Sequence, residues 1–168
     1  MTWQLAQLNI ALPLEPLDSD RLAGFVAALE PVNALAEVSP GFVWRLKTED
    51  GDATAVRGFG DDRLIVNLSV WESLTALASF VYGGEHVEVM RQRREWFVPM
   101  REAFTVLWWV PAGHRPDVAE AETRLAVLQQ NGPGAEAFTF RSAFPAPGSD
   151  TDRSADHPAD RDDWSCPV

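Results

Sequence analysis

The pattern of hydrophobic and polar positions predicts strands and helices that alternate along the chain. Four alternating or continuously apolar segments are typical of β-strands, and they lie at residues 3–11, 42–47, 63–71 and 103–110. Apolar residues at helical spacing predict three helical regions, at residues 20–38, 73–98 and 117–131. A last alternating segment, residues 137–144, predicts a fifth strand.

Capping and breaking residues set the expected helix limits. The predicted N-caps are Asp18 or Ser19 for the first helix, Ser73 for the second and Asp117 for the third. Pro31 should kink the first helix or split it, because proline removes a backbone donor. Gly83-Gly84 should divide the second into one part that ends at Tyr82 and another that runs from 85 to about 98.

The order of elements predicts an α+β fold. The first six elements follow the ferredoxin-like pattern β-α-β-β-α-β, and an extra helix and strand come after them. In the strand at 42–47, Phe42, Trp44 and Leu46 should share one face. The strand at 103–110 is apolar on both faces, so we expect a second sheet from another copy to cover the side without helices. The alternative is that the last helix and strand cover it within one chain.

Composition divides the chain into a domain over residues 1–145 and a tail over 146–168. Residues 149–168 contain six Asp against two Arg and almost no aliphatic side chains, which predicts a disordered acidic tail. The polar, glycine-rich residues 48–62 predict a hairpin-like excursion between two strands.

Charge and cysteine content narrow the possible partners. A net charge of −11 argues against nucleic acid and anionic membranes, which both attract basic surfaces. Cys166 is the only cysteine, so no disulfide can form within the chain. The N-terminus does not resemble a signal peptide and no apolar run is long enough to span a membrane, so we expect a cytoplasmic protein.

His86 is the leading candidate for chemistry. No phosphate-binding loop, zinc-ligand spacing or nucleophile motif occurs, and no metal site is expected. On a helical projection His86 falls on the apolar stripe with Met90 and Phe97, just after the Gly-Gly break. A histidine in this position can act as a general base, bind haem iron or serve as a hydrogen-bonded core residue.

Several polar and aromatic residues could accompany His86. The catalytic candidates beside it are Asn9 in the first strand and Trp71 at the end of the third. The candidate ligand-binding residues are Asn67, Trp44, Trp109, Tyr82, Arg93 and Arg94. Each also has an ordinary alternative, in which the amides satisfy backbone groups, the indoles fill the core and Tyr82 lies at the surface.

These residues occur in stretches that resemble a known family. The chain from Trp3 to Phe140 is similar to the bacterial family named domain of unknown function 3291, through residues 8–11, 39–46, 67–73, 80–82 with His86, 93–97 and 107–114. The resemblance implies a place in the dimeric α/β-barrel superfamily, which includes antibiotic biosynthesis monooxygenase-like proteins. It also implies a homodimer and a site that combines Asn9, Trp71 and His86.

Three functional hypotheses follow. The first is a cofactor-independent monooxygenase or isomerase that acts on a hydrophobic or aromatic small molecule, with His86 as base and Asn9 and Trp71 holding an oxygen or an enolate. The second is a haem-binding protein with His86 as the axial ligand. The third is a non-catalytic, ligand-binding dimer.

Overall fold

Four antiparallel strands form one sheet at the centre of the protein. The computed structural model describes residues 2–47 and 59–149, with only the backbone of Glu85 and His86. The strands are β1 (Trp3–Ala11), β2 (Phe42–Arg45), β3 (Ile65–Trp71) and β4 (Thr105–Pro111), in the order β2-β3-β1-β4. This order, with β1 paired to both β3 and β4, confirms the predicted ferredoxin-like α+β fold.

Five helices occupy the described part of the chain. They are α1 (Ala23–Val38), α2 (Leu74–Val81), α3 (Gly84–Arg91), α4 (Arg93–Trp96) and α5 (Val118–Asn131), and a short 3-10 helix at Asp20–Leu22 leads into α1. Ser19, Ser73 and Asp117 each accept a backbone N–H at the start of a helix, as predicted. None of the described helices has the length and apolar character needed to cross a membrane.

Two helix predictions change. Pro31 does not split α1, which continues to Val38 with buried residues on both sides of the proline, and the alternative of a kink stays a prediction. The region after Gly83 is not one helix, since α3 ends before Gln92 and α4 ends at Trp96. Phe97 is extended and bridges to Pro13, so the chain leaves the helical conformation there.

The strand predictions are wrong at two places. A β-bulge between Phe42 and Trp44 interrupts the alternation of β2, so Phe42 packs with Trp71 on one face and Trp44 packs on the other. Residues 137–144 do not form a strand, because only Phe138 bridges to β4, at Leu107. Most of the segment predicted as an excursion, 48–58, and the tail from residue 150 lie outside the described residues.

The two faces of the sheet are covered by different helices of the same chain. Helices α1 and α2 cover one side, here called the helix face, which includes Leu5, Trp71 and Leu107. The opposite face is apolar apart from Gln4 at its edge, and α5 packs against it with Ala121, Leu125 and Leu128. The expected bare face is therefore absent among the described residues, because the last helix lies where a second sheet was predicted.

Candidate functional site

Five polar side chains lie side by side on the buried helix face and are called here the polar stripe. Asn9 is opposite Asn67 on β3 and Thr105 on β4, and Gln7 is opposite Ser69. Gln7 is 5% exposed, Asn9 0% and Ser69 6%. Because antiparallel partners point to the same face, the strand register alone brings these groups together beneath α1 and α2.

A buried hydrogen-bond chain connects part of the polar stripe to an indole ring. Trp71 Nε1 donates to Ser69 Oγ at 3.0 Å, and Ser69 Oγ donates to Gln7 Oε1, also at 3.0 Å. An indole N–H can only donate a hydrogen bond, whereas a hydroxyl can both donate and accept. These hydrogen bonds therefore run in one direction, from Trp71 through Ser69 to Gln7. It fixes the orientation of Trp71, which is 1% exposed.

Asn9 is only half satisfied. Its Nδ2 donates to Thr105 Oγ1 at 2.7 Å, whereas its Oδ1 is buried and has no hydrogen-bond partner among the described residues. If the amide were turned over, Thr105 would bond the oxygen and the nitrogen would lack a partner instead. Either orientation leaves one buried polar atom unsatisfied, which costs about 1–3 kcal/mol.

A cavity opens between the polar stripe and the two helices. Its walls combine amides with aromatic and aliphatic groups, contributed by Gln7, Val32, Asn33, Ala36, Phe42, Arg45, Asn67, Ser69, Trp71, Leu77, Phe80 and Val81. Its volume is about 20 Å³. Trp71 stacks on Phe80 at 5.2 Å between ring centroids and meets the Phe42 ring edge-on at 5.4 Å.

One charged cluster adjoins this cavity. Arg45 lines it, and the Arg45 Nε donates to Glu37 Oε1 at 2.8 Å. Lys47 Nζ reaches the same Glu37 oxygen at 2.7 Å. The hydrogen bonds from Lys47 and from Arg45 lower the pKa of Glu37, so this carboxylate is charged at neutral pH.

Of the nine predicted site residues, Asn67 and Trp71 lie on the cavity. Asn9 belongs to the same polar stripe but is not part of the cavity wall. Trp71 on β3 pairs with Leu5 on β1. Leu5 is four residues from Asn9, so the backbones of Trp71 and Asn9 are separated by about 13 Å along the strand direction. The predicted pair therefore shares one face of the sheet without direct contact.

Three aromatic candidates are placed away from the cavity. Trp44 packs on the opposite face of the sheet, as a consequence of the bulge in β2. Trp109 Nε1 donates to the carbonyl oxygen of Phe144 at 2.8 Å. Tyr82 meets the Phe140 ring edge-on, and burial raises the pKa of its phenol.

The arginine candidates lie at the other end of the sheet. Arg93 stacks over the Phe104 ring at 4.4 Å, and the Phe104 carbonyl accepts the Ile10 N–H. Ile10 is five residues from Leu5, the partner of Trp71, or roughly 16 Å along β1. Arg94 is exposed. The structure therefore does not bring these cations to the cavity beside Trp71.

The structure describes His86 by its backbone alone. Its backbone lies in the first turn of α3, a helix that packs against both α1 and α2. Its side chain is outside the described part of the chain. The role of His86 as a base or a ligand stays a prediction.

The haem hypothesis depends on the side chain of His86, which lies outside the described residues, so it stays a prediction. Among the described residues, no three His, Cys, Asp or Glu side chains are grouped for metal binding.

Sequence reasoning missed Gln7, Ser69, Asn33 and Arg45 on the cavity wall. Gln7 and Asn9 are polar residues two apart in an otherwise apolar strand, and Ser69 repeats that signal beside Asn67. This spacing could have identified the polar stripe, because side chains two apart share a face. Arg45 carried no comparable signal, since the bulge at Val43 sets the face on which it lies.

The fold and site define an α+β protein of ferredoxin-like topology, with a small polar and aromatic cavity between its sheet and two helices. The family model for the domain of unknown function DUF3291 matches residues 4–154. This protein belongs to the DUF3291 family, which confirms the resemblance seen in the sequence. No curated protein matches the chain.

Several solved structures are similar at low identity. The cofactor-independent oxygenase SnoaB from Streptomyces nogalater is 15% identical with a TM-score of 0.44, over 67% of this chain and 95% of SnoaB. Rv0793 from Mycobacterium tuberculosis is 13% identical with a TM-score of 0.44, over 68% of this chain and 99% of Rv0793. A candidate antibiotic biosynthesis monooxygenase from Chloroflexus aurantiacus is 12% identical with a TM-score of 0.43, over 67% of this chain and 97% of that protein. Such values carry no information about activity.

Proposed function

We propose that this protein binds a small molecule with an apolar or aromatic body in the cavity between the sheet and helices α1 and α2. Asn67 and Trp71 are its central contacts. The observation that carries this proposal is the polar stripe, which faces the aromatic rings of Phe42, Trp71 and Phe80 on a buried surface.

The energetics of burial support recognition rather than stability as the purpose of these groups. Each buried polar group costs free energy unless it is hydrogen-bonded, and Asn9 Oδ1 has no such partner among the described residues. Aliphatic side chains in the same positions would stabilise the sheet without this cost. Two amides of the same polar stripe, Gln7 and Asn67, do line the cavity and therefore suit an incoming polar group.

The size of the cavity limits what part of the ligand is buried. About 20 Å³ admits only a small polar group in this conformation. The apolar body of the ligand would then lie against Phe42 and Phe80, which are partly exposed. A larger buried portion would require α2 to move away from the sheet.

The proposal is tested by native mass spectrometry of the purified protein and by titration with 1-naphthol, followed by tryptophan fluorescence. We expect retained or added ligand in the unmodified chain and at least a tenfold weaker affinity in Asn67→Leu. Asn131→Leu, the same change at an exposed position on α5, should bind as the unmodified chain does. Absence of any retained molecule together with absence of 1-naphthol binding would overturn the proposal.

The finer form of this proposal is a cofactor-independent monooxygenase or isomerase acting on a hydrophobic or aromatic substrate. Amide donors of the kind found on the cavity wall suit an enolate or phenolate oxygen. The indole N–H of Trp71 already donates to Ser69, so this ring would contribute a packing surface. His86 would remove the proton, a role inferred from its position on α3. Oxygen uptake with 1-naphthol should then be lost in His86→Ala while the melting temperature stays within a few degrees, and uptake that survives would exclude His86 as the base.

A homodimer remains part of the proposal, as the sequence suggested. Because α5 covers the apolar sheet face, a dimer has to use another surface or displace this helix.

A further inference from the structure

Asn33 on α1 is a buried amide whose side chain makes no hydrogen bond to any described residue. It is 8% exposed, and polar side chains at this depth are as a rule hydrogen-bonded. Among the described side chains, Asn9 Oδ1 is the only polar atom that is both fully enclosed and unpaired, so the Asn33 amide keeps access to open space. The cavity supplies that space, because Asn33 is part of its wall.

Two amides of the sheet line the same cavity as Asn33. Asn67 on β3 makes no side-chain hydrogen bond to a described residue. Gln7 on β1 accepts the Ser69 hydroxyl at its Oε1, and its amide nitrogen takes no part in that bond. The cavity is therefore bounded by amide groups from two sides, with α1 on one side and the sheet on the other.

An amide side chain presents one donor and one acceptor, whichever way the group is turned. A ligand group that only accepts hydrogen bonds would satisfy the amide nitrogens and leave the oxygens of Asn33 and Asn67 unpaired. Unpaired polar atoms are costly in a site shielded from water. No Asp or Glu is among the described wall residues, so these amide oxygens are suited to receive a ligand N–H.

We infer that the buried end of the ligand is a neutral carboxamide or lactam, and that Asn33 is the residue that selects it. This inference rests on the proposed function, since it names the chemical class of the ligand for the same cavity. Such a group carries a donor beside an acceptor, as Asn33 does, so the two can pair through two hydrogen bonds. The aromatic remainder of the ligand lies against Phe42 and Phe80.

The size of the cavity agrees with a group of this kind. Its volume is about 20 Å³, whereas a single water-sized group needs roughly 10–15 Å³. The space therefore suits a group with two polar atoms.

Calorimetric titration with 1-naphthamide and with 1-acetonaphthone tests the inference. Both probes are neutral and share one body, and a methyl group in the ketone replaces the amino group of the amide. We expect the amide to bind the unmodified chain about tenfold more tightly than the ketone. Asn33→Leu should remove this preference and still bind the ketone, whose oxygen can pair with the amides of the sheet. Asn131→Leu, the same change at an exposed position on α5, should keep the preference.

Thermal unfolding of Asn33→Leu separates a role in recognition from a role in the fold. Because Asn33 has no partner among the described residues, the leucine removes no hydrogen bond that they make. We expect the melting temperature of the variant to equal or exceed that of the unmodified chain. If leucine does not fit and the variant does not fold, Asn33→Ala should show the same loss of preference, and a preference retained there would contradict the inference.

The remaining outcomes separate failure of this inference from failure of the proposed function. Equal affinity for amide and ketone in the unmodified chain would overturn the amide inference and leave the binding function intact. A preference that persists in Asn33→Leu would overturn the role of Asn33. Failure of both probes and of 1-naphthol to bind would overturn the binding function itself.

Discussion

At the scale of single residues, Gly41 is the position where backbone and packing both require glycine. Its φ is +82°, and a Cβ added there would overlap the Ala76 Cβ on α2. We expect Gly41→Ala to lower the free energy of unfolding by about 3 kcal/mol, the sum of positive-φ strain and a displaced helix. Urea denaturation measures this loss.

Gly113 provides the matched control for this prediction. Its φ is +88°, but an added Cβ would meet nothing within 4 Å. Gly113→Ala should therefore cost only the conformational part, about 1 kcal/mol. Equal losses in the two variants would show that contact with α2 adds nothing at Gly41.

The sequence predicted the position of a site residue correctly only where it also predicted which face of the sheet each strand residue occupies. Asn67 and Trp71 could be assigned to one face because β3 alternates regularly, and both lie on the cavity. Trp44 was expected on the same face as Phe42, yet one bulge reverses its direction. A bulge adds one residue to a strand, and nothing in the residues 42–45 marks it beforehand.

At the scale of elements, helix starts were easier to predict than helix ends. Ser19, Ser73 and Asp117 act as caps because a short polar side chain can bond the exposed N–H groups of a first turn. The end of α4 depends instead on a distant contact, since Phe97 pairs with Pro13. Local sequence carries the first kind of information and not the second.

The segment 137–144 shows why alternation did not give a strand. Phe138 makes the one bridge to β4, and its ring packs on the helix face with Trp109 and Phe144. The carbonyl of Phe144 then accepts the indole N–H of Trp109. Aromatic packing and a side-chain hydrogen bond hold this segment, so its pattern reflects burial rather than pairing in a sheet.

At the scale of the whole molecule, α5 decides how the sheet is completed. The sequence showed an apolar second face, and that face exists, with Leu8, Leu68 and Val106 all 0% exposed. What the sequence could not show is which element covers it, because a helix of the same chain and a second copy offer the same apolar contact. The apolar composition of a sheet face predicts that the face is buried. Which element buries it depends on how the helices and strands are connected.

Concentration-dependent hydrogen exchange distinguishes the two ways in which this face could be covered. Displacing α5 would expose Ala121, Leu125 and Leu128, at about 1.5–3 kcal/mol for each leucine. We therefore expect the α5 amides to exchange at the same rate at low and high protein concentration, whether sedimentation velocity shows a monomer or a dimer. The amides of β1, at the centre of the sheet, serve as the slow reference. Faster exchange in α5 that grows with the dimer fraction would mean that a second sheet replaces the helix.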